Sequence, residues 1–499
     1  MLKDLARALS LANLCFIAAW VGLLDTTYNI PGFDQYLGLI IDVLLLSVVF
    51  WAAISLARRA KNQLALRVAR LVFPLLLLVP FNGIIQIVAP DKKAVVELVA
   101  VVLAIGIISL SDIEPWNRHI IRSAATITLL LFPFFLITMG QAAFSLTKFS
   151  DKPQAPAVSA VKAPGPRVIW LVFDEMDYQI AFAKRPDTLQ LPEFDRFRRQ
   201  SIFASHASPP GRTTGISMPA LITGRHVAKT DPVSPSKIMI TFAGSPEPVS
   251  WSSQPNLFSE AREAGFNTAI VGWYIPYCRV IGQSLTSCVW QESGPTALPE
   301  AMFGSVESLV DTIPLSSIFE ARLGIRQALD RRNHLKLLTT ILESTKKAVV
   351  DPELQLVLAH LPVPHPPGIY NRHKDEFQLD AESSYLDNLR LADRVFGELR
   401  RAMEDAQIWE SSVVLVTSDH GLRTDTWRGT YAWASEDEKT LAGHTDYRVP
   451  FMLKVSGQKQ ESEYGAEFNT ILTHDLLLAL LKGELFGPDS VVNWLQRHH

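Results

Sequence analysis

Almost every long apolar run in this 499-residue chain falls before residue 147. That asymmetry limits the fold more than any other feature, because apolar stretches of about 20 residues are long enough to cross a bilayer. Five such stretches run roughly over 9–24, 37–56, 71–88, 94–110 and 124–144. The whole chain is 48% hydrophobic, high for a water-soluble enzyme, and the excess sits at this end. The first stretch starts close to the N-terminus and has no A-x-A-like cleavage site, which predicts a retained span rather than a cleaved signal.

Loop charges give the orientation. Lys3 and Arg7 precede the first stretch, Arg58, Arg59, Lys61, Arg67 and Arg70 follow the second, and Arg118 and Arg122 follow the fourth. The loop after the first stretch, DTTYNIPGFDQ, has no Lys or Arg, while Lys92 and Lys93 after the third dissent. The balance puts the N-terminus inside and, after five crossings, the rest of the chain outside. An even count would reverse this. The expected layout is a five-helix transmembrane domain over 1–147, a linker over 148–166 and a catalytic domain over 167–499. The Pro- and Ala-rich linker (TKFSDKPQAPAVSAVKAPGPR) has no hydrophobic period and reads as a tether, with an ordered strap as the alternative.

The remainder reads as an α/β domain. A formal net charge of −3 excludes the broad basic field of a nucleic-acid binder, so no nucleic-acid partner is expected. RVIWLVFDEMDY is a continuous apolar run, as in a parallel strand buried on both faces, and it ends in Asp174 and Glu175. SSVVLVTSDHG repeats the pattern and ends in Asp419 and His420. Ligands of parallel sheets gather at strand carboxyl ends, so two such ends form a candidate site. Between them, SHASPPGRTTGISMPALITGR is rich in hydroxyls and leads into a predicted helix, whose N-terminus suits an anion such as phosphate. His360 and His365 follow a third apolar run, and His444 sits in LAGHTDYRVPFMLKVSG. Carboxylates with imidazoles suit zinc or manganese; carboxylates alone would suit calcium or magnesium. Cys15 lies in an apolar run, whereas Cys278 and Cys288, ten residues apart, are either a disulfide or two free thiols.

These segments, in this order, resemble the alkaline phosphatase/sulfatase superfamily over roughly 167–456. In layout the chain is similar to membrane phosphoethanolamine transferases and lipoteichoic acid synthases. The resemblance implies a largely parallel sheet sandwiched by helices and a divalent metal, zinc foremost, with manganese, magnesium or calcium as alternatives. Aligning SMPALITGR with the Ser-x-Pro of the transferases, or with the Leu-x-Thr-Gly-Arg ending of the sulfatase motif, puts the nucleophile at Thr214 either way. Asp174, Glu175, Asp419 and His420 then match metal ligands, with Thr214 beside them, and His365 and His444 match residues that hold substrate or a second metal. SPPGR, starting at Ser208, imitates the sulfatase modification motif but lies six residues too early. Threonine cannot become formylglycine, and GFNTAIVGWY lacks the Lys and His of the sulfate-gripping signature, so that route to sulfate esters is not expected. The cysteines that flank the transferase nucleophile are absent.

The expectation is a transferase of the bacterial inner membrane with its catalytic domain in the periplasm or outside. Membrane lipid would donate a phospho-head group such as phosphoethanolamine or phosphoglycerol, and an envelope lipid or glycan would accept it. A membrane-anchored phosphodiesterase or sulfatase-like hydrolase is the second reading, and a non-catalytic envelope scaffold the third.

Overall fold

The computed structural model describes residues 2–24, 33–59, 75–76, 78–88, 93–110, 114–146, 154–158, 166–234, 236–291, 297–313 and 325–498. The basic loop expected over 60–70, Lys92 and most of the linker lie outside these residues. The chain forms two compact units. One gathers most of 1–149 together with 294–326; the other holds 150–293 and 327–499.

The first unit is helical: α1 (Leu2–Cys15), α2 (Ile17–Leu24), α3 (Phe33–Arg59), α4 (Leu78–Val88), α5 (Lys93–Leu110), α6 (Glu114–Leu130), α7 (Phe132–Leu146) and α8 (Leu298–Asp311). By length and composition Phe33–Leu56 and Arg122–Phe144 can cross a membrane, and a third crossing results if α1 and α2, bent by 63°, count as one. The segments expected as third and fourth crossings are shorter helices, so the described residues do not show five spans. Buried Leu11, Cys15, Trp20, Tyr36, Leu39 and Val43 form the core of this unit. Membership of α8 departs from the expected layout, which placed all of 167–499 in one domain.

The second unit is built on an eight-stranded sheet. Its strands are β1 (Val168–Phe173), β2 (Ile202–Ala204), β3 (Thr268–Trp273), β4 (Ser287–Gln291), β5 (Leu356–Leu361), β6 (Val413–Thr417), β7 (Phe451–Lys454) and β8 (Ser462–Tyr464). Their order is β8-β2-β7-β6-β1-β5-β3-β4. Only the pairings of β7, with β6 and with β2, are antiparallel. Successive side chains of a strand point to opposite faces. Val168, Trp170 and Val172 accordingly enter one core, and Ile169, Leu171 and Phe173 the other. Burial on both faces explains why β1 reads as an unbroken apolar run. Between them the cores take in residues of the helices Thr214–Thr223, Thr473–Leu481 and Tyr385–Asp405. Ser384 and Asp387 close a capping box at the start of the last of these.

Cys278 and Cys288 form a disulfide. Part of the linker is a strap rather than a tether. Ala155 N–H donates to Leu285 O at 2.9 Å and Val158 N–H to Asn267 Oδ1 at 2.8 Å.

Candidate active site

The central strands β1, β5 and β6 bring their carboxyl ends together, and the site grows from there. Asp174 follows β1, His360 lies in β5 opposite Val172, and Asp419 and His420 follow β6. Ser418 joins the turns after β1 and β6: its hydroxyl donates to Phe173 O at 2.6 Å and accepts from Met176 N at 2.9 Å. The turn after β1 is tight enough to hold Glu175 in the left-handed region at φ 61°. Thr214 opens its helix, with Thr213 as N-cap.

One ligand atom each from Asp174, Asp419 and His420 lies within 4.8 Å of the others, and all three residues are buried. Asp419 Oδ1 accepts from the N–H groups of His420 at 2.9 Å and Glu175 at 3.3 Å, which leaves Oδ2 without a partner. Asp174 Oδ1 also has none, while His360 Nε2 lies 3.4 Å from Asp174 Oδ2. His420 Nδ1 lies 2.9 Å from Gly421 O. A carbonyl only accepts, so the proton sits on Nδ1 and Nε2 offers its lone pair to the site. That atom is 3.2 Å from Thr214 Oγ1, 3.7 Å from Asp174 and 3.4 Å from Asp419.

Charge balance makes the same point. Burial would raise the Asp174 carboxyl, yet the imidazoles of His365, His360 and His420 hold it below its usual range. Asp419 is raised by burial and by the neighbouring Asp174 charge. Burial would lower His420, but Asp419, Glu175 and Asp174 raise it. Orphaned buried carboxylate oxygens beside an imidazole lone pair fit a divalent cation, and this mixed donor set suits zinc or manganese. Asp174, Asp419 and His420 would hold the ion, which would neutralise the buried charge and make the Thr214 hydroxyl more acidic.

A cavity of about 320 Å³ opens over this cluster, lined by Asp174, Thr213, Thr214, Lys229, Thr230, Tyr274, His365 and Arg423, among others. Lys229 comes from a side hairpin, Val227–Ser234 paired with Lys237–Phe242. Lys229, whose ammonium pairs with Asp231 at 2.6 Å, and Arg423, whose Nε is held by Glu175, line the cavity beside a hydroxyl at a helix N-terminus, a setting for an anionic ester.

The remaining expected residues take other places. The Glu175 carboxylate is held by Arg423 Nε and by Trp427 Nε1, the latter at 2.8 Å, so it faces a cation of the chain rather than the ligand cluster. His365 lines the cavity and sits edge-on to Trp273 and Trp427. His444 Nε2 pairs with buried Asp177 at 2.8 Å, one turn removed from Asp174. Ser208 lies exposed on a two-residue strand beside Phe468–Asn469 and is not among the lining residues.

Five further residues, His360, Tyr277, Arg423, Trp427 and Asp177, stand around the expected site residues without a sequence signal that had assigned them a role. His360 was noted among the histidines but given no role. Tyr277 OH pairs with its Nδ1 at 3.0 Å, and Gly272 makes room, since a Cβ there would meet the tyrosine ring at 2.8 Å. Arg423 caps and Trp427 ends a one-turn helix, Thr424–Trp427, too short to leave a period that marks them. Asp177 could have been found, being the third acid of DEMD after β1.

A sulfatase family model matches residues 166–481, more than half the chain. Fold and site together define a metal-dependent enzyme of the alkaline phosphatase superfamily. Within it, this chain belongs to the sulfatase family. No curated protein sequence matches it. Among solved structures it is similar to the PsFucS1 sulfatase from Pseudoalteromonas sp. (13% identity, 64% of this chain and 68% of that one, TM-score 0.42). It is also similar to the phosphonate monoester hydrolase of Agrobacterium radiobacter (15%, 63% and 73%, 0.39). A third is an alkaline phosphatase superfamily protein from Vibrio parahaemolyticus (15%, 66% and 69%, 0.38). Likenesses this slight bear on neither substrate nor reaction.

Proposed function

We propose that this enzyme transfers a phospho-head group from a membrane phospholipid to a hydroxyl of an envelope lipid or glycan. The observation that carries the reading is Thr214: a hydroxyl at a helix N-terminus, 3.2 Å from His420, over a buried ligand cluster and under a cation-lined cavity. In the first step Thr214 Oγ1 attacks phosphorus, the bond to the diacylglycerol oxygen breaks, and that oxygen leaves with the proton Thr214 gives up. The head group is then a phosphodiester on threonine. In the second, an acceptor hydroxyl attacks the same phosphorus and its proton returns to Thr214 as the P–O bond breaks. His420, whose one lone pair would go to the ion, would place that ion beside Thr214 Oγ1, 3.2 Å from its Nε2. Lys229, Arg423 and His365 face the phosphoryl oxygens, where negative charge grows in both transition states.

Apolar helices able to cross a membrane support a lipid donor, because anchoring raises its effective concentration at the site. The disulfide supports a catalytic domain outside the cytoplasm, and with it a bacterial inner-membrane protein facing the periplasm. Hydrolysis, with water as acceptor, shares the first step and is favoured by membership of a family named for hydrolases.

Intact mass after exposure to bacterial phospholipids tests the reading. A mass gain equal to a phospho-head group, absent in Thr214→Ala, is expected. A metal-loaded protein that releases products but never gains mass would refute the threonine intermediate. Product analysis with and without a glycan acceptor then separates transfer from hydrolysis.

A further inference from the structure

Helix α8 interrupts the catalytic sequence, yet it is built into the helical unit. Its inner face carries Ala301, Ser305, Leu309 and Thr312. At Gly38 of α3 the backbones come so close that a Cβ would meet Met302 N at 2.9 Å, a small-residue contact typical of membrane helices. The Ser305 hydroxyl donates to the carboxylate of buried Asp42, four residues further along α3. Asn82 Nδ2 of α4 donates to Thr312 O at 2.9 Å, at the C-terminus of α8, where backbone carbonyls lack helical partners. A carboxylate inside a crossing helix is costly unless paired, and α8 supplies the partner of Asp42.

The outer face is apolar. Phe303, Val306, Val310 and Ile313 recur every three or four residues in one stripe and are 44%, 41%, 37% and 43% exposed. Leu44, Leu45, Val48 and Val49 of the crossing helix α3 are exposed in the same way. Glu300, Glu307 and Asp311 fall together on a third face. One face docked on the helical unit and one apolar face exposed beside the apolar surface of α3 is the profile of a helix that meets lipid.

We propose that Leu298–Ile313 is a membrane-associated segment whose apolar stripe contacts phospholipid acyl chains, continuing the lipid-facing surface of α3. Gly38 meets Met302 and Asp42 meets Ser305, so over this turn α8 and α3 advance in the same direction.

Nitroxide labels at Val306→Cys and Val310→Cys test this in the full chain, with Cys15→Ala to remove the free thiol, reconstituted in phosphatidylethanolamine/phosphatidylglycerol vesicles. Val233→Cys, exposed in the catalytic unit, is the aqueous control. Relaxation by oxygen is expected to exceed that by a water-soluble nickel chelate several-fold at both positions, with the reverse at Val233→Cys. A water-like ratio at Val306→Cys and Val310→Cys overturns the proposal. So does poor access by both reagents together with spin–spin broadening, which would make the stripe an interface between two copies. Phe303→Cys repeats the measurement should either valine variant fail to reconstitute.

Discussion

The two units bury polar side chains for opposite reasons. In the helical unit several buried polar groups engage one another: Asp42 with Ser305, Asn13 Oδ1 with Thr138 and Asn82 Nδ2 with the carbonyl of Thr312, while Asn13 Nδ2, Asn82 Oδ1 and Trp20 Nε1 have no partner among the described residues. In the catalytic unit the acids Glu175 and Asp177 are likewise taken up, by Arg423 with Trp427 and by His444. Asp174 and Asp419 instead each keep a buried carboxylate oxygen with no hydrogen-bond partner. What sets Asp174 and Asp419 apart from the other unpartnered atoms of both units is that theirs are carboxylate oxygens clustered with His420, where a cation fits.

The strongest way to break that distinction is to change the orphaned set. Thr214→Ala and Asp419→Asn should each lower turnover by ~10³-fold or more while the fold persists, because they remove the nucleophile and a ligand. Asp419→Asn should also lose bound metal by elemental analysis. After chelation its thermal midpoint should exceed that of the chelated parent, since it relieves two buried carboxylates of mutual repulsion. If chelation leaves Asp419→Asn no more stable than the parent, the cluster is self-sufficient and the comparison fails.

Glu175→Gln sharpens the boundary between the two classes. Its carboxylate orients Arg423 at the cavity, so turnover should fall by about 10–100-fold with the metal retained, an effect usual for groups that support a site at one remove. Stoichiometric loss of metal would move Glu175 into the ligand set.

Legibility from sequence followed the same division. Asp174, Asp419 and His420 could be read because a doubly buried strand is an apolar run whose polar residues appear only where it stops. Thr214 could be read because small and hydroxyl residues precede a helical pattern. His360 is inside β5, where VLAHL reads as core, and its importance comes from Asp174 on the neighbouring strand, 3.4 Å away. The place of α8 was hidden more deeply. LPEAMFGSVESLVD has the pattern of an ordinary surface helix, and what sets it apart is Gly38, Asp42 and Asn82, some 200 residues earlier. Of the five crossings expected, the described residues carry two, or three if the bent pair α1 and α2 counts as one, because composition counts apolar residues and does not register a bend.

Lys454 is a buried cation of the catalytic unit whose hydrogen bonds all go to backbone carbonyls, and it probes pairing by backbone alone. Its ammonium donates to Trp409 O at 3.0 Å and lies near the carbonyls of Glu410, Ser412 and Val455. Burial pushes it down from 10.5 to about 8, against the nearby charge of Glu410 and with that of Lys459. Below pH 8 both folded and unfolded chains carry the proton. Between 8 and 10.5 the unfolded chain keeps a proton that the folded one has lost, so stability rises with pH. Relative to Lys454→Met, the parent should therefore gain about 2 kcal/mol between pH 7 and 9.5. Parallel pH profiles for the two proteins would show that the carbonyls fully compensate for burial.

The smallest expected effect tests the other side of the comparison. If Ser305 and Asp42 are mutual partners within the helical unit, Ser305→Ala removes one hydrogen bond in a setting where such bonds are worth roughly 0.5–2 kcal/mol. Asp42→Asn keeps an acceptor for the hydroxyl, so it should cost less than Ser305→Ala in detergent unfolding. The double variant should cost less than the sum of the two, the shortfall being their coupling. Turnover on a soluble phosphodiester should not change in either. Additive costs would mean that Asp42 is satisfied by something other than α8, and that the hold of the helical unit on α8 rests on Gly38 and Asn82 alone.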